Sequence, residues 1–214
     1  MFQNYKNYFS VPVLIAANIV PLIMVLFFGA NLFEILILYW SESAIIGFFN
    51  IIKMALAQGG NEKHANVQKL FLIPFFMMHY GIFMSVHLVF ILILSGIISL
   101  NTPNFNWISA LTNIIIGFIS LFASHAISFF TNYIGNKEYK TALAGLLIFS
   151  PYGRIIIMHL TILFGMFIFM LTGYSIIVLV LLIILKTLVD LGAHLAERSG
   201  FSNIKIKKAG QEVN

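Results

Sequence analysis

The chain has 214 residues, 60% hydrophobic and 9% charged, with 12 Lys+Arg against 7 Asp+Glu for a net charge of +5. Soluble domains carry about 25% charged residues, so a water-soluble core is excluded and the bilayer becomes the solvent. The absence of cysteine excludes disulfides, thiolate metal sites and a cysteine nucleophile, leaving His, Asp and Glu as metal ligands.

Taken in order, the apolar runs predict an all-α, polytopic integral membrane bundle of six transmembrane helices. A short polar and aromatic start carrying Lys6 precedes a first span over residues 10–28, near the ~20 residues that cross a bilayer. That is too long for the apolar region of a signal peptide, so the span is expected to be retained. The second span covers 32–56, with Glu42 near its middle and Lys53 near its end. A polar loop over 58–69 leads to a third span at 70–100, and a fourth runs over 107–133. Residues 141–149 are apolar but short, which suits an interfacial or re-entrant piece. The fifth span is expected at 154–171 and the sixth at 174–196, followed by a basic cytoplasmic tail over 201–214. The spans make a single transmembrane domain over 1–200, and the phenylalanines are expected to be lipid-facing bulk.

Loop charge fixes the orientation. The N-terminus, the 58–69 loop, the 135–154 stretch and the tail carry Lys and Arg, whereas the turns near 30, 103 and 173 carry none. Positive charge stays on the cytoplasmic side, so both ends of the chain are inside, in a multi-pass protein of the cell membrane. The charge lies between apolar runs, so it encodes topology and no nucleic-acid footprint.

Ionisable groups inside spans are functional hypotheses by default. Asp190 and His194 lie four residues apart, so a helix puts them on one face, where they can share a metal ion or a proton. His159, His79 and His87 are the other candidate ligands, and zinc is the divalent metal that His and Asp donors suit. Glu42, costly alone in lipid, must pair or raise its pKa. It is the candidate general base beside a metal-bound water, with His125 as a second candidate catalytic group. Counted from the loops, Glu42, His79 and His125 lie near mid-bilayer. The same count puts His159, Asp190 and His194 nearer the cytoplasmic face and His87 in the outer half. The bland alternative bonds each histidine to a neighbouring helix and neutralises Asp190 with Lys186.

Two function classes follow. One is a zinc-dependent hydrolase acting on a lipid or membrane peptide, with His79, His159, Asp190 and His194 around the metal. The other is a proton-coupled transporter or channel that relays through Glu42, His79, His125 and Asp190. A haem protein and a structural partner without chemistry rank below both.

Five stretches also carry a likeness: Tyr39-Trp40-Ser41-Glu42; His79-Tyr80-Gly81 with His87; Ser124-His125 with Ser128-Phe129 and Asn132; Pro151-Tyr152-Gly153-Arg154 with His159; and Lys186-Thr187 with Asp190 and Ala193-His194. As a set they resemble an uncharacterised family of six-span integral membrane proteins of bacteria and archaea, defined only as a domain of unknown function. The resemblance implies the topology and this residue list, and no activity. A weaker likeness is to the rhomboid-like fold, which shares six core spans and an Ala-His pair in the last, here Ala193-His194. The Gly-x-Ser-Gly nucleophile of rhomboid proteases has no counterpart in this sequence.

Overall fold

A computed structural model of the protein describes residues 32–59, 62–101 and 106–172, with residues 180, 181 and 184. The expected first span, nearly all of the sixth with Asp190 and His194, and the basic tail lie outside these. The described chain forms α1 (Leu32–Leu56), α2 (Glu62–Asn101) and α3 (Trp107–Ser128), then a π-helical turn over Phe129–Gly135 and a 3-10 turn over Glu138–Lys140. A short α4 (Ala144–Leu147) and α5 (Tyr152–Thr172) follow. Among the described residues the structure is helices joined by short turns, with no strand.

Four stretches are long and apolar enough to cross a membrane: Leu32–Leu56, Asn66–Ile97, Trp107–Gly135 and Ala144–Phe164. The reason is local. Leu, Ile, Phe and Met dominate these runs, and only helices satisfy every backbone amide within one segment when no water is at hand. The start of α3 is capped by the Asn106 side chain, which accepts from the Ser109 amide at 3.1 Å.

Helix α1 is the centre of the bundle, with α2 on one side and α3 on the other, while α5 leans on α2 and touches α1. The contacts fix directions. Tyr80 donates to the Ser43 carbonyl and the Trp40 indole donates to the Met84 carbonyl, each at 2.7 Å, so α1 and α2 run antiparallel. Tyr152 packs on Tyr80 and His159 on His87, so α5 runs parallel to α2.

The main core joins Leu36, Tyr39, Phe76, Tyr80, Met84, Ile91, Ile155 and Met158, and takes in Ala144 and Ile148 from the α4 segment. A second cluster of Ile45, Phe49, Phe129 and Tyr133 seals α1 against the end of α3. Full burial of such side chains stabilises by roughly 1.5–3 kcal/mol each in water, but lipid tails are as apolar as Leu, so close fit and interhelical hydrogen bonds hold this bundle. By contrast α3 faces outward over most of its length, with Ala110 its one buried residue.

Three expectations need correction. The 58–69 stretch is not all loop, because α2 begins at Glu62. Its 40 residues are about 60 Å long against a ~30 Å hydrocarbon core, so the first turns stand beyond the apolar run. Lys and Gln are good helix formers, and hydropathy marks lipid depth, not helix ends. The expected span at 154–171 is helix α5, but the 141–149 piece is not separate from it, since the candidate span runs from Ala144 and Arg154 lies ten residues inside it. Nor are the phenylalanines uniformly lipid-facing: Phe33, Phe49, Phe76 and Phe129 are buried.

Gly47 shows how tightly α1 and α2 meet. A Cβ there would stand 2.5 Å from Tyr80 Cε1, whereas one at Gly81 would meet nothing within 4 Å. We expect Gly47→Ala to destabilise the protein by about 1–3 kcal/mol. Gly81→Ala should be neutral or stabilise by up to about 1 kcal/mol through helix propensity. Denaturation midpoints in detergent measure both, and equal effects would contradict the packing.

Candidate functional site

Two polar levels cross the bundle. The lower one is built on Glu42, in the middle of α1. The Arg154 guanidinium reaches its carboxylate from the first turn of α5, Nη1 to Oε1 at 2.9 Å, and His125 Nε2 from α3 lies 3.7 Å from the same oxygen. Glu42 therefore meets its desolvation cost by pairing. Arg154 arrives at this depth because α4 and the turn through Pro151 carry the chain into the bundle before α5 begins. Tyr80, Ser43 and Tyr152 close the level beside it.

The upper level lies about two turns further along α2 and α5. His87 is fully buried. Its Nδ1 is 2.6 Å from the Phe83 carbonyl, and its Nε2 is 3.2 Å from Nδ1 of His159. The carbonyl can only accept, so Nδ1 of His87 carries the proton and Nε2 presents a lone pair. His159 then donates from Nδ1, and its own Nε2 becomes the acceptor end of the pair. These tautomers follow from the hydrogen-bond network. The His159 side chain is otherwise exposed.

His79 belongs to neither level's hydrogen bonding. Its ring lies between Phe75 and Phe83 of its own helix, at 5.4 and 5.1 Å between centroids, and against Tyr152 at 5.7 Å. It stands eight residues from His87, about 12 Å along the axis, so one ion cannot take both.

The structure thus brings Glu42 to His125 and His87 to His159, and leaves His79 apart. Asp190 and His194 lie outside the described residues. Among the described residues no three of His, Asp and Glu gather closely enough to share a metal. The expected depths change as well. His159 lies level with His87, not nearer the cytoplasmic end, because its depth was counted from Arg154 as an interface residue. His87 and Glu42 occupy different levels, as expected.

Several polar groups escaped the sequence reading. Glu34, buried in the first turn of α1, accepts from Asn113 Nδ2 of α3 at 3.0 Å. Asn50 of α1 donates to the Leu147 carbonyl at 3.0 Å, tying down α4. Arg154 as the partner of Glu42 was missed too. The available signal was the Pro151-Tyr152-Gly153 run directly before Arg154, which sets it apart from a polar loop.

With four membrane-length apolar helices crossed by these polar levels, the chain has the make-up of a multi-helix membrane protein. It belongs to a family of unknown function, DUF6498, whose match covers residues 3–205. No curated protein and no solved structure matches the chain.

The Glu42–Arg154 pair is directly testable. Arg154→Met strands a carboxylate in the bundle and should destabilise by about 3–5 kcal/mol. Adding Glu42→Gln should restore most of that loss, because it removes the stranded charge. Urea or heat midpoints of the two singles and the double make the cycle, and additive losses would refute the pairing.

Proposed function

We propose that this is a six-span protein of the cell membrane with both ends cytoplasmic, and that His87 and His159 form half of an intramembrane site for a divalent metal. The observation that carries the proposal is the His87–His159 geometry. Two ligand atoms on one tetrahedral zinc stand about 3.3 Å apart for bonds of 2.0–2.1 Å, close to the 3.2 Å between these nitrogens; with metal bound, His159 would carry its proton on Nε2 instead of Nδ1, so that both nitrogens offer a lone pair to the ion. Histidines that bind metals also donate the other ring N–H to a carboxylate or backbone carbonyl, which fixes the ring. His87 does this to Phe83. Asp190 and His194, four residues apart in the last apolar run of the sequence, are the proposed remaining ligands. Zinc suits such His and Asp donors, and when bound it supplies a water of lowered pKa or polarises a carbonyl or phosphoryl oxygen.

On this reading the chain hydrolyses a bond in a lipid or a membrane peptide, reached from the bilayer through the exposed side of His159. Glu42 is not placed as the base, because Arg154 holds its carboxylate. The lower level acts instead to position α5, and with it His159, against α2. His125 contacts the same carboxylate and has no separate catalytic part.

One observation favours a second reading. The His87–His159 bond is directional, running from His159 Nδ1–H to His87 Nε2, which is an arrangement that passes a proton. A proton-coupled transporter would use it with Glu42 and His125. It predicts pH-dependent flux in liposomes that chelators leave untouched.

The deciding experiment is elemental analysis of protein purified without a histidine tag. The expected result is about one zinc per chain, falling to under a tenth in His87→Ala and in His159→Ala and unchanged in His79→Ala. A metal-free parent protein in zinc-supplemented medium would end the metal reading.

A further inference from the structure

We infer that the end of the bundle where α1 meets the 136–142 segment is a binding site for an anionic phospholipid. Charge at the two ends is sharply unequal. By sequence this end carries Lys53, Lys63, Lys69, Lys137 and Lys140 against Glu62 and Glu138, with His64 beside them, whereas the described residues of the opposite end carry one ionisable side chain, the buried Glu34.

The lysines stand on a built scaffold. The Gln58 amide donates to the Tyr139 carbonyl at 2.7 Å and the Gly59 amide to the Ala142 carbonyl at 2.9 Å, clamping the segment to the end of α1. Tyr133 donates to the Lys53 carbonyl at 2.7 Å, and the Lys53 ammonium sits 5.4 Å from the centre of the Tyr133 ring. Lys69 reaches the Ala55 carbonyl at 3.4 Å. These contacts leave Lys137 and Lys140 as the exposed pair.

Lys137 is the one non-glycine residue with positive φ among the described residues, at φ 58° and ψ 32°. Glycine or asparagine adopts that conformation at less cost. Lysine is thus a costly choice for this backbone, and its exposed side chain presents an ammonium at the surface.

The neighbouring surface decides between a lipid and a soluble anion. Directly after Lys140, the side chains of Leu143, Leu146 and Phe149 are exposed at 43%, 68% and 71%. Leu143 caps the single turn of α4, Leu146 lies in it and Phe149 in the turn that follows, so an exposed apolar row comes directly after the lysines in the chain. A phosphate on Lys137 and Lys140 with acyl chains along that row matches a phospholipid, and a free phosphate would leave the row unused. Basic clusters beside a membrane-spanning helix attract anionic headgroups, each lysine contributing about fivefold. The site is independent of the histidine pair.

The test uses the full-length protein in detergent, with phosphatidylglycerol and phosphatidylcholine as probes. Retained lipid is read by native mass spectrometry and the thermal midpoint by tryptophan fluorescence. The parent should retain phosphatidylglycerol in preference to phosphatidylcholine. Lys137→Asn with Lys140→Gln should weaken that retention roughly 25-fold, two steps of about fivefold. Its midpoint in phosphatidylcholine should stay the same or rise, because asparagine tolerates the backbone at 137. Equal retention of the two lipids, or an unchanged preference in the variant, overturns the inference. So does a lowered midpoint in phosphatidylcholine, which would make the lysines structural. Displacement of the lipid by millimolar inorganic phosphate would show a site for soluble anions and overturn it also.

Discussion

The structure depends on one constraint: a polar side chain in the hydrocarbon core must find its partner inside the protein. Glu42 stands near the middle of α1, and Arg154 answers it from α5 at 2.9 Å. Because Arg154 must reach that depth, α5 starts within the bundle, and the short α4 and its turn exist to bring it there. Tyr80, Trp40 and Asn50 then bond to carbonyls of neighbouring segments, not to each other. The hydroxyls of Thr112 and Ser120 on the outer helix bond back to carbonyls four residues earlier, which satisfies them without any partner helix.

That arrangement sets the histidine pair. Helix α5 runs parallel to α2 in a register fixed by Tyr152 on Tyr80 and by the charge pair below. One consequence is that His159 meets His87 two turns higher. The Phe83 carbonyl then fixes the His87 ring in the tautomer that turns a lone pair to its partner. Such an ordered pair is suited equally to holding an ion or passing a proton, and the ligands supplied from elsewhere in the chain decide which.

Much of this was legible in the sequence, for a definite reason. Helices in lipid need long apolar runs, so the runs at 32–56, 70–100 and 107–133 could be read with little ambiguity. The need for Glu42 to find a partner could also be read, since a lone carboxylate is too costly there. Which partner it finds could not. Arg154 looked like an interface residue because its neighbours Pro151 and Gly153 resemble a loop, and only the fold shows Pro151 buried and Arg154 reaching Glu42. Depth inferred from loop positions failed at His159 for the same reason. The buried Glu34 was passed over because it stands near the start of its run, where a carboxylate usually meets water. The glycines differ in the room around them: a Cβ at Gly47 or Gly117 would press on a side chain, while one at Gly81 or Gly96 would have nothing within 4 Å.

The central claim is that His87 is held in its Nδ1–H tautomer by the Phe83 carbonyl, with Nε2 turned to the ring of His159. Solid-state NMR of the protein in bilayers, with nitrogen-15 in its histidine rings, measures this directly. The account predicts a His87 ring protonated at Nδ1 and bare or metal-bound at Nε2, with a close spatial correlation to the His159 ring. A His87 ring protonated at Nε2, with no correlation to His159, would contradict it.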